Sequence, residues 1–335
     1  MKKFIPTLVL VVLCIAGFSY ASSQNWFKDS AEDEAKELLS IPAEEVEKIA
    51  ISSADNDSEE LGPTVQLVKE NDGWRISDPV PYPVNLYMVD NWLGTFAGLS
   101  YTDKVEENPA ELESFGLESP DHRFEVTLKD GTVKKIGIGN PLPIGDGYYA
   151  KADDDPAVYS ISGYSVQSLN KQVIDFIDKS AFKVDYNLVN AISLVWKGES
   201  IQLDKLEPDK NAYESKWKLD GQEVEANAGS GVLDKLTMIS TAQLPIPAGE
   251  ANLDGAELRV EVKEGQGEEA QTVIFIGKIE NGKVNVAREG AEWAFIVEEN
   301  DLDQLWEQAK QVLASAADNG GEETIDGTSA ETGSD

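Results

Sequence analysis

The sequence predicts an α+β fold: two tandem copies of an antiparallel-sheet-plus-helix unit behind an N-terminal transmembrane segment. Three observations predict it. Apolar residues alternate at period two in runs such as "RFEVTL" and "LRVEV", the pattern of half-buried strands. The order of strand-like and helix-like runs in residues 41–180 returns in residues 181–312, as an internal repeat would. Two lysines lead an apolar stretch from Phe4 to Ala21, which is at the short end of a membrane span.

Residues 1–21 read as a signal anchor that keeps Lys2 and Lys3 in the cytoplasm and puts the rest outside. A cleaved signal peptide is the second reading, because Ser19-Tyr20-Ala21 offers small residues at cleavage positions. A lipoprotein is the third, against which stands Leu13 directly before Cys14. Residues 22–40 form a polar, acidic spacer with a helical pattern near "EDEAKELL".

The two copies align run by run. Ile49 and Ile51 of "VEKIAIS" match Ile192 and Leu194 of "VNAISLV", and Trp74 matches Trp217 across a longer loop. Val89, Leu93 and Phe96 share a helical stripe with Val232, Leu236 and Ile239. Further on, Phe124, Val126 and Leu128 alternate inward, as Leu258, Val260 and Val262 do. "GYYAKADDDPAVYSIS" and "GKVNVAREGAEWAFIV" read as hairpins turning on "DDDP" and "EGA". A closing helix follows each, through Val166, Leu169, Val173 and Ile177 in the first copy and Leu302, Leu305 and Ala309 in the second. Residues 313–335 form an acidic tail that cannot bury enough apolar surface to order itself.

Between the halves of the first copy lies "NPAELESFGLESP", residues 108–120. Asn108 reads as an N-cap, Pro109 as the first helical residue and Gly116 as a left-handed stop. Leu112, Phe115 and Leu117 would hold the turn on the core. The second copy keeps "GEANLDGAELRVEV", with Leu253 and Gly255 in the corresponding place. A catalytic elbow would not recur with its polar groups exchanged, so the stretch is a joint.

Composition excludes several functions. The chain carries 62 acidic against 28 basic residues, for a net charge of −34. Such a field repels nucleic acid. One cysteine, Cys14, and one histidine, His122, cannot supply a zinc site or an internal disulfide. A Ser-His-Asp arrangement would need His122, which reads as a plain surface imidazole ahead of "RFEVTL". No catalytic, cofactor-binding or metal-ligating residue is assigned.

The remaining motifs read as structure. "DNDSEELG" from Asp55 has the aspartate spacing of a calcium loop, but Glu60 stands where glycine is needed and Gln66 where glutamate is. "DDDP" at 153–156 is a hairpin tip. "IGIGNPLPIGDG" at 136–147 has no lysine to cradle phosphate and reads as a wide loop. Carboxylate pairs are too abundant to point anywhere. Trp74, Tyr82, Tyr87, Trp92, Tyr148 and Tyr149 cluster in the first copy and read as core rather than a stacking platform.

Taken together, the lysine-led N-terminus, "IPAEEVEKIAIS", "DGWRISDPV", "ENPAELESFGLESP" and "GYYAKADDDPAVYSIS" resemble the domain-of-unknown-function family 4340. The resemblance is strong over about residues 40–180 and looser over 181–312. Members are similar to proteins encoded near ABC-type export permeases and gliding-type auxiliary subunits. The resemblance therefore implies an extracytoplasmic accessory or scaffold protein of a membrane complex, such as an ABC-type transporter, without catalysis or cofactor. The other reading is a cell-envelope ligand-binding module or wall-polymer hydrolase.

Overall fold

The computed structural model describes residues 36–53, 65–70, 73–152, 155–267 and 270–320. The N-terminal segment, the calcium-like loop from Asp55 and most of the tail lie outside them, and so do Asp153 and Asp154. Among the described residues no helix is long and apolar enough to cross a membrane. The chain divides into two compact units, one of Met1–Pro81 with Leu86–Asp175, the other of Tyr82–Asn85 with Phe176–Asp335.

In the first unit β1 (Lys36–Glu37) pairs with β5 (Ser100–Tyr101), and Leu38 N–H donates to Leu99 O at 2.8 Å. Lys36 to Leu39 therefore leave the spacer helix that "EDEAKELL" suggests; backbone pairing outweighs weak local propensity. The main sheet uses β2 (Val46–Ser53), β3 (Val65–Glu70), β4 (Gly73–Asp78), β6 (Asp103–Glu106), β7 (His122–Leu128), β8 (Val133–Pro141), β9 (Gly147–Ala152) and β10 (Val158–Ser162). It is antiparallel, ordered β4-β3-β2-β7-β8-β9-β10-β6. Ile49 lies opposite Val126 and Ile51 opposite Phe124, and all four are buried.

Helix α1 (Leu86–Ala97) buries Val89, Trp92, Leu93 and Phe96. Trp92 stacks on Phe96 with centroids 5.1 Å apart, meets Phe124 edge-on, and donates its indole N–H to Leu169 O at 2.8 Å. The closing helix expected through Ile177 breaks into α2 (Gly163–Leu169) and α3 (Val173–Phe176). Asn170 leaves helical geometry at ψ 83°, and the Asp175 carboxylate then accepts from Gln172 N–H at 2.9 Å, starting the chain afresh.

The joint is shorter than its sequence suggests. Only Glu113–Phe115 form a 3-10 turn, and no side chain caps it. Asn108 and Pro109 lie outside the turn, because Phe115 N–H and Leu117 N–H both donate to Leu112 O and close it there. Gly116 is left-handed at φ 70°, as its position requires. The turn lies flat on β8. A Cβ on Gly139 would sit 2.1 Å from Phe115 O, and one on Gly137 3.1 Å from the Pro120 ring. These glycines thus belong to a strand that carries the joint, and the wide loop expected at 136–147 shrinks to residues 142–146.

The second unit contains β11 (Val189–Trp196), β12 (Glu199–Lys205), β13 (Trp217–Leu219), β14 (Gln222–Val224), helix α4 (Ala226–Thr237), β15 (Ile246–Pro247), β16 (Leu258–Glu264), β17 (Gln271–Glu280), β18 (Lys283–Arg288), β19 (Trp293–Glu298) and helix α5 (Glu299–Gly320). The sheet is again antiparallel, ordered β14-β13-β12-β11-β16-β17-β18-β19-β15. Leaving out β14, each strand has a counterpart in the first sheet at the same place in the order. The ladder irregularity between Val46 and Lys48 in β2 has its counterpart between Val189 and Ala191 in β11. Register sets Phe124 beside the place of Val260 and Val126 beside that of Val262. His122 and Leu128 thus correspond to Leu258 and Glu264.

Val232, Leu233 and Leu236 of α4 join Trp217, Phe182, Phe275, Leu302, Leu305 and Ala309 in one continuous core. Each large apolar side chain fully buried there contributes roughly 1.5–3 kcal/mol. Helix α5 runs to Gly320, past the boundary expected at 312, with Leu313 and Ala316 packed against the core. Tyr82, from the segment that departs the first unit, tilts against Trp293 with centroids 5.0 Å apart, and Val84 bridges Ile177.

Candidate functional site

Two places bring functional side chains together. The first is His122, which begins β7 and lies directly opposite Ser53. The Ser53 hydroxyl and His122 Nδ1 are 2.7 Å apart, and the ring lies parallel to Phe124 at 6.3 Å. The imidazole is therefore a half-buried strand residue and not a plain surface group, because the strand starts one residue earlier than its apolar alternation suggests. Burial lowers its pKa and outweighs the opposing pull of Asp121.

The second is a cleft of about 460 Å³ in the second unit, lined by Lys183, Val184, Asp185, Tyr186, Glu264, Val273 and Arg288. It is an open depression rather than an enclosed pocket, so it would cover one side of a small ligand. Glu264 ends β16 on its inward face and is 3% exposed. Its carboxylate accepts from Asp185 N–H at 2.7 Å and Gln271 Nε2 at 2.9 Å, so the acid stands where the first unit has Leu128. Tyr186 donates to Asp234 Oδ1 at 2.6 Å and stacks on Tyr213, whose hydroxyl reaches the same oxygen at 3.1 Å. Burial, then the bond to Asp234, pushes the Tyr186 phenol far above its ordinary range, so it remains a donor.

At the rim, Lys183 is paired to Asp178 at 2.6 Å. The Arg288 guanidinium has no such partner among the described residues. The arrangement suits a small ligand with an anionic group for Arg288 and an apolar part for Val184, Val273 and the Tyr186 ring. Among the described residues no group of three histidine, cysteine, aspartate or glutamate side chains is placed to hold a metal ion.

The family model described as domain of unknown function (DUF4340) matches residues 74–252, more than half of the chain. The chain belongs to this family. The DUF4340 match starts in β4 and ends beyond α4, later than the stretch from residue 40 where the resemblance looked strongest. No curated protein and no solved structure matches the chain.

The aromatic residues of this DUF4340 chain do not form one platform. Trp92 is core, Tyr87 is 74% exposed, Tyr149 meets Phe115 edge-on at 5.0 Å, and Tyr82 belongs to the second unit rather than the first. Asp155 of "DDDP" orders its turn by accepting from Ala157 N–H at 2.9 Å and from the Tyr159 hydroxyl at 2.6 Å. Composition and motif offered no route to the cleft, because its charged groups come from segments about a hundred residues apart. The one signal in the sequence was Glu264 itself, an acid at the last inward position of "LRVEVKE".

Proposed function

We propose that this protein is a membrane-tethered extracytoplasmic accessory subunit, a non-catalytic scaffold of a membrane protein complex with an ABC-type permease as its expected partner. The observation that carries this reading is a framework repeated without its polar chemistry. Strand order and the bulge in the central strand recur. His122, Leu128 and Gly139 correspond to Leu258, Glu264 and Lys278, so the repeated part is the packing. We infer from this that the two units are tandem copies of one α+β unit. Selection for a reaction would preserve reacting groups in at least one recognisable constellation, whereas selection for a display surface preserves the core. A tether supports weak partner contacts by raising local concentration. In-cell crosslinking of the full chain, followed by identification of captured membrane proteins, tests the proposal. Recovery of a permease subunit is expected, and capture of no membrane protein overturns it.

The second reading, a cell-envelope ligand-binding module, draws on the unpaired Arg288 in the cleft. Its lining holds the carboxylates Asp185 and Glu264, but both oxygens of Glu264 already accept hydrogen bonds from Asp185 N–H and Gln271 Nε2, which favours binding over carboxylate-catalysed hydrolysis of wall polymer. If that reading holds, Arg288→Ala abolishes uptake of an anionic wall fragment while the crosslinks to membrane partners persist.

A further inference from the structure

The hairpins β8–β9 and β17–β18 are counterparts, and their turns differ in length and chemistry. In the second unit Glu280 lies opposite Lys283, so two residues make the turn, Asn281 and Gly282, both at positive φ. That is the tight polar turn that hairpins favour. In the first unit Leu142 N–H donates to Gly147 O at 2.8 Å, so four residues make the turn, Pro143 to Asp146.

Each turn is tied to the helix that follows its sheet. Gly282 O accepts from Glu299 N–H at 3.3 Å, and Asp146 O accepts from Gly163 N–H at 3.0 Å. The second tie sets Tyr164 beside the turn that carries Ile144.

The framework is thus shared and the exposed groups are not. The second unit presents Glu280, Lys283 and Glu299 at this place, with Lys283 paired to Glu298 at 3.6 Å. The first unit presents Pro143, Ile144 and Tyr164. Ile144 is 89% exposed and Tyr164 76%. Residues 139–150 and 156–170 hold one charged side chain, Asp146, in a chain that is 27% charged, so this end of the unit is depleted of charge. The Asp146 carboxylate lies against Gly163, where an added Cβ would meet Oδ1 at 2.5 Å. The second unit closes the same hairpin with two polar residues, so folding does not require an apolar turn. Exposed apolar side chains that folding does not require mark a contact surface.

We propose that the β8–β9 tip and Tyr164 dock on a bilayer surface of uncharged headgroups, with Ile144 at the acyl boundary and the Tyr164 ring at headgroup level. Tyrosine suits that level because its ring is apolar while its hydroxyl stays hydrated. A protein partner is the poorer occupant. Three side chains on a turn present at most a few hundred Å², against about 800 Å² on each side of a stable protein interface. A bilayer needs no complementary shape. Anionic headgroups are poorer too, because the tip holds no cation and the chain carries a net charge of −34. The inference needs neither the anchor nor the permease of the proposed function.

The probe is a vesicle of phosphatidylcholine. Cys14 is the only cysteine, so the full chain with Cys14→Ser and Pro143→Cys takes one environment-sensitive dye at the turn. After reconstitution with the vesicles, the dye emission should shift to the blue and be quenched by nitroxide-labelled lipid. Ile144→Asp should weaken this docking at least about tenfold, since burial of an isoleucine is worth at least that factor. Tyr164→Asp, on the neighbouring helix, should weaken it as well. The same dye at Val133→Cys, at the far end of β8 and roughly 27 Å away, should stay in water. A dye at position 143 that stays in water overturns the proposal. So does a shift indifferent to both aspartate variants, which would belong to the dye, or one that requires phosphatidylglycerol. Protection seen in native membranes and absent in pure lipid also overturns it, because the tip would then sit on a protein. Crosslinking to a permease is read separately, so either reading can fail alone.

Discussion

The Trp196 indole N–H donates to Asp303 Oδ1 at 2.8 Å, joining the end of β11 to the first turns of α5. Lys197 Nζ reaches the same oxygen at 2.8 Å and Glu299 Oε1 at 2.7 Å. Burial raises the Asp303 carboxyl, but the Lys197 ammonium and the indole outweigh it and hold the group below the usual carboxylate range. Trp196 is 2% exposed, so losing the acceptor strands a buried donor. Asp303→Ala should destabilise the second unit by about 1–3 kcal/mol in denaturant unfolding, and Asp303→Asn by less. Equal stabilities for Asp303→Ala and the parent chain would remove this bond from the account.

Glycines of the first unit should divide by what surrounds them. Gly139→Ala drives a methyl into Phe115 O and should cost about 2–3 kcal/mol, because backbone must move to admit it. Gly94 lies inside α1 with nothing within 4 Å of an added Cβ. Gly94→Ala should therefore stabilise by about 0.5–1 kcal/mol through lost backbone entropy. Thermal melts of the two variants check both signs.

His122 should give the first unit a stability that depends on mildly acidic pH. Its folded pKa lies below the ordinary 6.5, so near that pH the unfolded chain binds more protons than the folded one. The contribution is complete above about 6.5 and is lost as pH falls through the lower folded value. Melting temperatures measured from about pH 5 to 8 should fall on the acid side in the parent chain and less steeply in His122→Gln. Identical slopes for the two proteins would contradict the half-buried, neutral imidazole.

Much of the fold was legible because burial imposes a period. Ile49 and Ile51, Phe124 and Val126, and the stripe Val89, Leu93 and Phe96 all lie inside, as alternation and helical spacing require. Gly116 could be read because a left-handed stop leaves a residue signature. Chain breaks were harder. Asn170 splits a helix whose apolar spacing runs straight through it. "ASAAD" at 314–318 looks like a tail by polarity, yet alanine favours helix and Leu313 anchors the run. The cleft was least legible, since Lys183, Glu264 and Arg288 meet only through strand order, which no local pattern encodes.

Labelling in spheroplasts tests the extracytoplasmic account most directly. Met238 is 74% exposed, so a membrane-impermeant maleimide should label Met238→Cys in the full chain without lysis. Labelling that appears only after the membrane is broken would contradict the account.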